Sequence, residues 1–243
     1  MSDYAWKRLG KGTHTDDPES EYFQRPRREL VNLINHSPRL AVDVGCAGGA
    51  LGAAVKKAYP LATVVGVENV EEAAAVARGH LDRVICESAE SLDFERAGFA
   101  PKEIDLIFLA DVLEHLYDPW KFLQKLRPFV ADDGQVLASI PNMRNLWLLN
   151  ELIEGRWTYT EAGLLDITHI RFFTFDSIVE MFRETGYSIA GFAGIIDDRV
   201  GPMSVPEGQR LTINAARITL REMSAHEVWQ LGLSQFIIDA KPA

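Results

Sequence analysis

The chain of 243 residues is 47% hydrophobic, 9% aromatic and 25% charged, the composition of one ordinary globular domain large enough to bury a core without a disulfide or metal staple. Its two cysteines, Cys46 and Cys86, lack CxxC spacing, which fits a reducing compartment and argues against structural zinc. Twenty-five basic against thirty-five acidic residues leave a net charge of −10, which disfavours a nucleic-acid partner, because phosphate affinity needs clustered Lys and Arg. No run approaches the ~20 apolar residues of a membrane span and the amino terminus lacks a signal-peptide pattern, so a cytoplasmic protein without stable membrane insertion is expected.

Residues 1–20 are polar and aperiodic and are expected to form a mobile tail or lid. Leu30, Val31, Leu33 and Ile34 then have helical spacing, stopped before Pro38. Short β-branched runs follow in alternation with longer helical patterns: LAVDV, an Ala-rich helix, ATVVGVE, a second Ala-rich helix, RVICE, IDLIFLA, a helix over residues 119–130, and QVLASI. Strands apolar throughout, each followed by a helix, predict a doubly wound α/β fold with a mostly parallel sheet covered on both faces. Beyond it the spacing predicts an extra helix over residues 142–155, a helix over Phe175–Glu184 stopped by Gly186, two late strands (YSIAGFAGII and SQFIIDAKP) closing the sheet edge in antiparallel fashion, and a helical pattern in ITLREMSAHEVWQL between them. With no repeat or linker, residues 1–243 are read as a single domain, with residues 142–172 as an acceptor-side insert.

The most informative stretch is LAVDVGCAGGALG, residues 40–52, where a strand ends in Asp43 and a glycine-rich turn opens a helix at the carboxyl edge of the sheet. A dinucleotide fingerprint fails there, since Ala47 and Ala50 stand where two of its three glycines belong, and no Gly-Lys-Ser/Thr phosphate loop is present. A carboxylate at the turn repels pyrophosphate and attracts an ammonium group. Glu68 ends the second strand, where an acid accepts both ribose hydroxyls. S-adenosyl-L-methionine fits the description of a ligand with a ribose and an amino group but no phosphate.

On these residues the chain resembles the class I S-adenosylmethionine-dependent methyltransferases, from about Tyr22 onward. The resemblance implies a Rossmann-like, seven-stranded sheet with a helical insert after the fifth strand. It lays Asp43, Gly45, Cys46, Ala47 and Gly49 on the DxGxGxG loop, with Ala47 replacing the middle glycine at little cost provided that position needs no positive φ. Glu68 matches the ribose acid, Ser88 and Ala89 the adenine-side pair, and Ala110 and Asp111, in LADVLEHLYDP, the methionine side. Cys46 is otherwise a small buried filler. The motifs LEHL, SIPN and DITHIRFFT resemble a branch with ubiquinone-pathway and glycan-associated O-methyltransferases, the last motif nearer the glycan-associated members.

For catalysis, His115 and His169 are the candidate bases that would take an acceptor's hydroxyl proton. Asp166 is expected to hold the His169 imidazole, Arg171 to bind an anionic acceptor group, and Trp147 to line the acceptor site; the competing reading of the 166–171 stretch is a polar network that locks a loop. Tyr117 and Lys121 have the YxxxK spacing of dehydrogenases, but the glycine loop is wrong for their dinucleotide. No cluster at metal-ligand spacing is visible, so no metal is expected. The expected function is O-methylation of a sugar, glycan or related small-molecule hydroxyl; the alternatives are a quinone-like phenol or an amine as acceptor, or an inactive cofactor-binding subunit. The apolar insert leaves room for a homodimer contact.

Overall fold

The computed structural model describes residues 26–243, so the expected tail or lid at residues 1–20 lies outside the described residues. In chain order the elements are α1 (Arg28–Val31), β1 (Leu40–Val44), α2 (Ala50–Ala58), β2 (Thr63–Glu68), α3 (Glu71–Ala77), β3 (Arg83–Cys86), β4 (Ile104–Ala110), a 3-10 turn (Leu113–His115), α4 (Pro119–Leu126), a second 3-10 turn (Arg127–Phe129), β5 (Val130–Pro141), α5 (Leu146–Ile153), α6 (Phe175–Glu184), β6 (Tyr187–Ile196), β7 (Leu211–Ala215), β8 (Ile218–Met223), α7 (Ala225–Leu231) and β9 (Leu233–Pro242).

Seven strands form one sheet in the order β3-β2-β1-β4-β5-β9-β6. The first five are parallel; β9 runs antiparallel between β5 and β6. The two-residue period of the strands sorts their side chains between two cores. Val42, Val44, Ile107 and Leu109 face α4 and α6. Ala41, Leu106 and Phe108 face α1 and α2. Both faces being covered, the strands are apolar along their length, which is why they read as continuous runs in the sequence.

Four boundaries differ from expectation. The helix expected to reach residue 130 ends at Leu126, because Pro128 forces a 3-10 turn before β5. The extra helix is confined to Leu146–Ile153 and begins where Asn145 caps Leu148 N–H. The first helix closes at Val31, short of Leu33 and Ile34. The segment expected as one helix from Ile218 divides: Ile218–Met223 pairs with Leu211–Ala215 as a separate two-stranded sheet, and the helix starts only after the Ser224 capping box with Glu227. Alternating exposure of Ile218, Thr219 and Leu220 marks a two-residue period that two flanking apolar residues had disguised.

The insert is tied to the sheet by buried amides. Asn142 Nδ2 donates to the carbonyls of Gln230 and Leu233, and Asn145 Nδ2 to Leu233 O and Asp197 Oδ2. These bonds tie the start of the insert to the residues around the start of β9 and the end of β6.

Candidate active site

Parallel pairing brings the ends of β1, β2 and β4 into one row. Asp43 lies opposite Gly66 of β2 on one side and Phe108 of β4 on the other. The turn that follows takes a left-handed backbone at Gly45 (φ 69°), Ala47 (φ 48°) and Gly49 (φ 85°). A side chain at Gly49 would press on Ala77 of α3 at 3.2 Å, and one at Gly45 on Val112 at 3.0 Å, so both glycines are required by conformation and by space. Ala47 does adopt positive φ, so the condition under which alanine would cost little there is not met: the position carries left-handed strain of about 1 kcal/mol. Glu68 helps to hold it, accepting the Ala47 N–H on Oε2 and the Val70 N–H on Oε1, both at 2.9 Å.

Asp43 is 2% exposed, and its Oδ2 has no hydrogen-bond partner. Burial, reinforced by the negative charge of Glu68 and opposed by the Gly52 backbone and Arg27, pushes its carboxyl up to about 7. An orphaned buried carboxylate oxygen beside a bare, glycine-lined turn fits a bound cationic nucleoside. Cys46 is buried beneath the turn with its thiol driven far above the ordinary range, first by burial and then by Asp43 and Glu68; its Sγ fills the space that a side chain at Gly66 would need. After β3, Ser88 Oγ accepts the Glu90 N–H and Ser88 O the N–H of Leu92, a tight turn carrying Ala89, while Glu87 N–H donates to Glu68 O.

At the end of β4, Ala110 pairs with Ser139 of β5, and Asp111 follows in a left-handed conformation (φ 57°). Asp111 joins four parts of the chain: it is ion-paired with Arg27, and its Oδ1 accepts from Ser139 Oγ (2.7 Å) and Gln235 Nε2 (2.8 Å). Asp111 also borders a cavity of about 720 Å³ between Gln235, Arg28, Arg199 and the 162–164 segment of the insert.

One turn on, Glu114 is 1% exposed with both carboxylate oxygens unpartnered. Burial, with Asp111 next in importance, holds its carboxyl well above the usual carboxylate range. The Glu114 carbonyl accepts the N–H groups of Ile170 and Arg171 (2.9 and 3.0 Å), and this clamp lays His169 against Glu114, with Nε2 3.9 Å from Oε1. The imidazoles of His115 and His169 meet edge to face with centroids 4.8 Å apart. His169 is 8% exposed and pushed down to about 4 by burial and then by His115, against the pull of Asp166. Glu114, His115 and His169 therefore form a cluster whose ligand atoms lie within 4.8 Å of one another, a juxtaposition that overturns the expectation of no metal-like cluster.

The neighbouring expectations change accordingly. The Asp166 carboxylate does not hold the His169 imidazole, although the Asp166 carbonyl accepts the His169 N–H (3.1 Å); Asp166 Oδ1 accepts the Thr168 N–H (2.8 Å) and Thr168 hydroxyl (2.6 Å), and Thr168 in turn meets His115 Nδ1 through its hydroxyl (3.2 Å) and its carbonyl (3.3 Å). Arg171 is not turned to an acceptor: its guanidinium donates to the carbonyls of Ile170 and Tyr117, closing the 166–171 loop onto the turn after β4. Trp147 lies under Arg199, whose guanidinium stacks 3.6 Å from the ring centroid and pairs with Asp197. Arg27 and Arg199 were missed by sequence reasoning because neither sits in a motif; their only signal was a basic residue beside a helix or strand end.

The fold and this site define a class I S-adenosylmethionine-dependent methyltransferase, with S-adenosyl-L-methionine as cofactor. Residues 19–190 match the family described as "Methyltransferase domain", and the chain belongs to that family. Among named relatives, the ubiquinone biosynthesis O-methyltransferase of Thiobacillus denitrificans is 34% identical over 193 residues, 74% of this chain and 80% of that protein. The protein of the same name from Stutzerimonas stutzeri is 33% identical over 140 residues, 52% of this chain and 57% of its own length. A solved S-adenosylmethionine-dependent methyltransferase from Archaeoglobus fulgidus superposes with a TM-score of 0.60 at 16% identity over 93% of this chain and 94% of that one, a likeness of fold.

Proposed function

We propose that this chain O-methylates a small-molecule hydroxyl seated in the cavity beside Asp111. The observation that carries the reading is the Glu114–His115–His169 cluster one turn beyond Asp111, in which both Glu114 carboxylate oxygens and His169 Nδ1 have no hydrogen-bond partner. A quinone-like phenol takes precedence over a glycan hydroxyl as the acceptor. The relatives named above carry ubiquinone biosynthesis in their names, and the residue that favoured an anionic sugar, Arg171, spends its guanidinium on backbone carbonyls.

In this reading S-adenosylmethionine supplies an electrophilic methyl group on sulfonium sulfur when bound. Asp43 offers its unpartnered carboxylate oxygen to the ligand's positive end, and the turn at Gly45, Ala47 and Gly49 lets the backbone approach closely. Glu68, already oriented by two backbone N–H groups, has lone pairs left for ribose hydroxyls. Ser88 and Ala89 border the adenine, Ala110 and Asp111 the methionine end. His115 and His169 stand at the acceptor oxygen and handle its proton, a contribution of the order of 10²–10⁴-fold; burial pushes the His169 imidazole down to about 4. The insert excludes water and holds the acceptor in line for attack.

The test is product formation from S-adenosylmethionine with a panel of ortho-dihydroxy phenols and of sugars, read by mass spectrometry. Methylated phenol with no methylated sugar is expected. Methylation of sugars alone would overturn the order of the two readings, and S-adenosylhomocysteine affinity unchanged in both Asp43→Ala and Glu68→Ala would overturn the cofactor site.

A further inference from the structure

We propose that the methyl acceptor carries a carboxylate, and that Arg199, assisted by Arg28, receives it in the cavity beside Asp111. The inference rests on the O-methylation reading and deepens it by assigning the acceptor a second functional group. The chain bears a net charge of −10, yet the charged residues lining this cavity of about 720 Å³ are three arginines, Arg27, Arg28 and Arg199, against two acids, Glu29 and Asp111. A cleft whose lining opposes the sign of the whole protein draws in ligands of that protein's own sign, here anions.

The three guanidinium groups are in different states, and the difference locates the anion. Arg27 is ion-paired with Asp111 and lies 3.8 Å from Glu29, so it neutralises the acids of the wall. Arg28 is exposed, and its side chain has no ion pair or hydrogen bond among the described residues. Arg199 is held from three sides. Its Nε and Nη2 fork onto Asp197 at 2.8 and 2.7 Å, its main-chain N–H donates to the same carboxylate at 3.0 Å, and its Cζ stands 3.6 Å from the ring centroid of Trp147. Asp197 is itself buried and anchored by Asn145 Nδ2 at 3.0 Å. The fork occupies one edge of the guanidinium and leaves Nη1 without a hydrogen bond. That free edge, Nη1 with the second hydrogen of Nη2, is one that a carboxylate engages through two parallel hydrogen bonds. A loose arginine would lose rotamer freedom on meeting the anion, whereas Trp147 and Asp197 have already fixed this one.

The charge balance sets the class of anion. Asp197 offsets Arg199, and Asp111 offsets Arg27, so Arg28 is the unpaired cation of the lining. One unpaired cation and one free guanidinium edge match the single charge and flat oxygen pair of a carboxylate; a phosphate dianion brings a charge too many. The other polar side chains of the wall are engaged, Ser234 Oγ donating to Ile195 O and Gln235 Nε2 to Asp111. Pro26, Pro141, Leu164 and Ile195 supply apolar surface for a ring. With its carboxylate at Arg199, the acceptor turns its opposite side to Asp111, the residue assigned above to the methionine end of the cofactor, so the same contact selects which hydroxyl is presented.

The experiment titrates the full chain, saturated with S-adenosylhomocysteine, with protocatechuate (an ortho-dihydroxybenzoate) and with its uncharged carboxamide in a calorimeter; methylation of both is followed by mass spectrometry. The acid is expected to bind at least tenfold more tightly than the amide. That ratio should fall below about threefold in Arg199→Lys, which keeps the charge and loses the flat fork, and severalfold in Arg28→Gln, a change at an exposed site that leaves the packing intact. Trp147 is a positioning residue, so Trp147→Leu should lower the ratio and leave the affinity for the amide unchanged. S-adenosylhomocysteine affinity should stay within about threefold throughout. Equal affinity for acid and amide in the wild type, or a ratio unchanged in both arginine variants, would overturn the carboxylate site. Weakened S-adenosylhomocysteine binding with an unchanged ratio would give these arginines to the cofactor's own carboxylate and overturn it likewise, and phenyl phosphate bound more tightly than the acid would overturn the choice of carboxylate. Acid-selective binding with methyl transfer to neither compound would overturn the methyl-transfer reading and leave the carboxylate site standing.

Discussion

The main-chain N–H of Ala47 donates to Glu68 Oε2 at 2.9 Å, so the acid that ends β2 stabilises the strained residue of the turn that follows β1. Because Glu68 Oε1 also receives the Val70 N–H, truncation releases two backbone donors at once. Glu68→Ala is expected to weaken S-adenosylhomocysteine binding at least tenfold and to cost about 1–3 kcal/mol of stability, whereas Ala47→Gly, which relieves the left-handed strain, should hold stability within about 1 kcal/mol and retain affinity. Calorimetry and chemical denaturation of both variants test the pair.

Asp43 ties cofactor affinity and folding to pH. Its carboxyl is held at about 7 in the folded chain, above the ordinary value near 3.9. Between about pH 4 and pH 7 the unfolded chain releases this proton while the folded chain keeps it, so this group lowers stability as pH rises through that window, by on the order of 4 kcal/mol, and has no further effect above it. The ammonium group at the amino-acid end of the ligand favours the ionised carboxylate, so S-adenosylhomocysteine should bind about tenfold more tightly at pH 8 than at pH 6. In Asp43→Asn both slopes should flatten; slopes equal to those of the wild type would remove Asp43 from the titration.

Arg171 is expected to behave as a clamp. Its two backbone carbonyl partners hold the 166–171 loop to the turn after β4. Arg171→Ala should lower Tm by several degrees and reduce kcat through misplaced His169, with KM for the acceptor changed less than threefold. A large selective rise in KM would instead restore acceptor binding to this residue.

Cys46 should be unreactive. Alkylation of the native protein is expected to reach only the exposed Cys86, and Cys46 only after denaturation, because the buried thiol stays protonated. A methyl group at Gly66 would lie 2.5 Å from Cys46 Sγ, so Gly66→Ala is expected to cost about 1–3 kcal/mol, read by denaturation.

The strand ends that carry Asp43, Glu68 and Asp111 were legible in the sequence because a covered parallel sheet imposes apolar runs, and an acid stands at or just past the carboxyl end of each. The cluster at Glu114 was not, since His169 lies some fifty residues away and arrives only through the Ile170 and Arg171 amides on the Glu114 carbonyl. The sign of φ at Ala47 was likewise hidden: an alanine in a glycine's place says nothing of its backbone until Glu68 is seen to hold it. The β7–β8 pair escaped because Ile218 and Leu220 fit a two-residue period too short to outweigh the helix that follows.

The position of β9 between β5 and β6 governs how a nascent chain is finished. Both neighbours leave the ribosome before it, and Ile196 precedes Leu233 by enough residues to occupy a few seconds at typical elongation rates. Throughout that interval β5 offers an unpaired apolar edge next to a nearly complete parallel half-sheet. A product released before β9 would therefore be a template for edge-to-edge aggregation, and its recovery in cells should depend on chaperones that hold that edge.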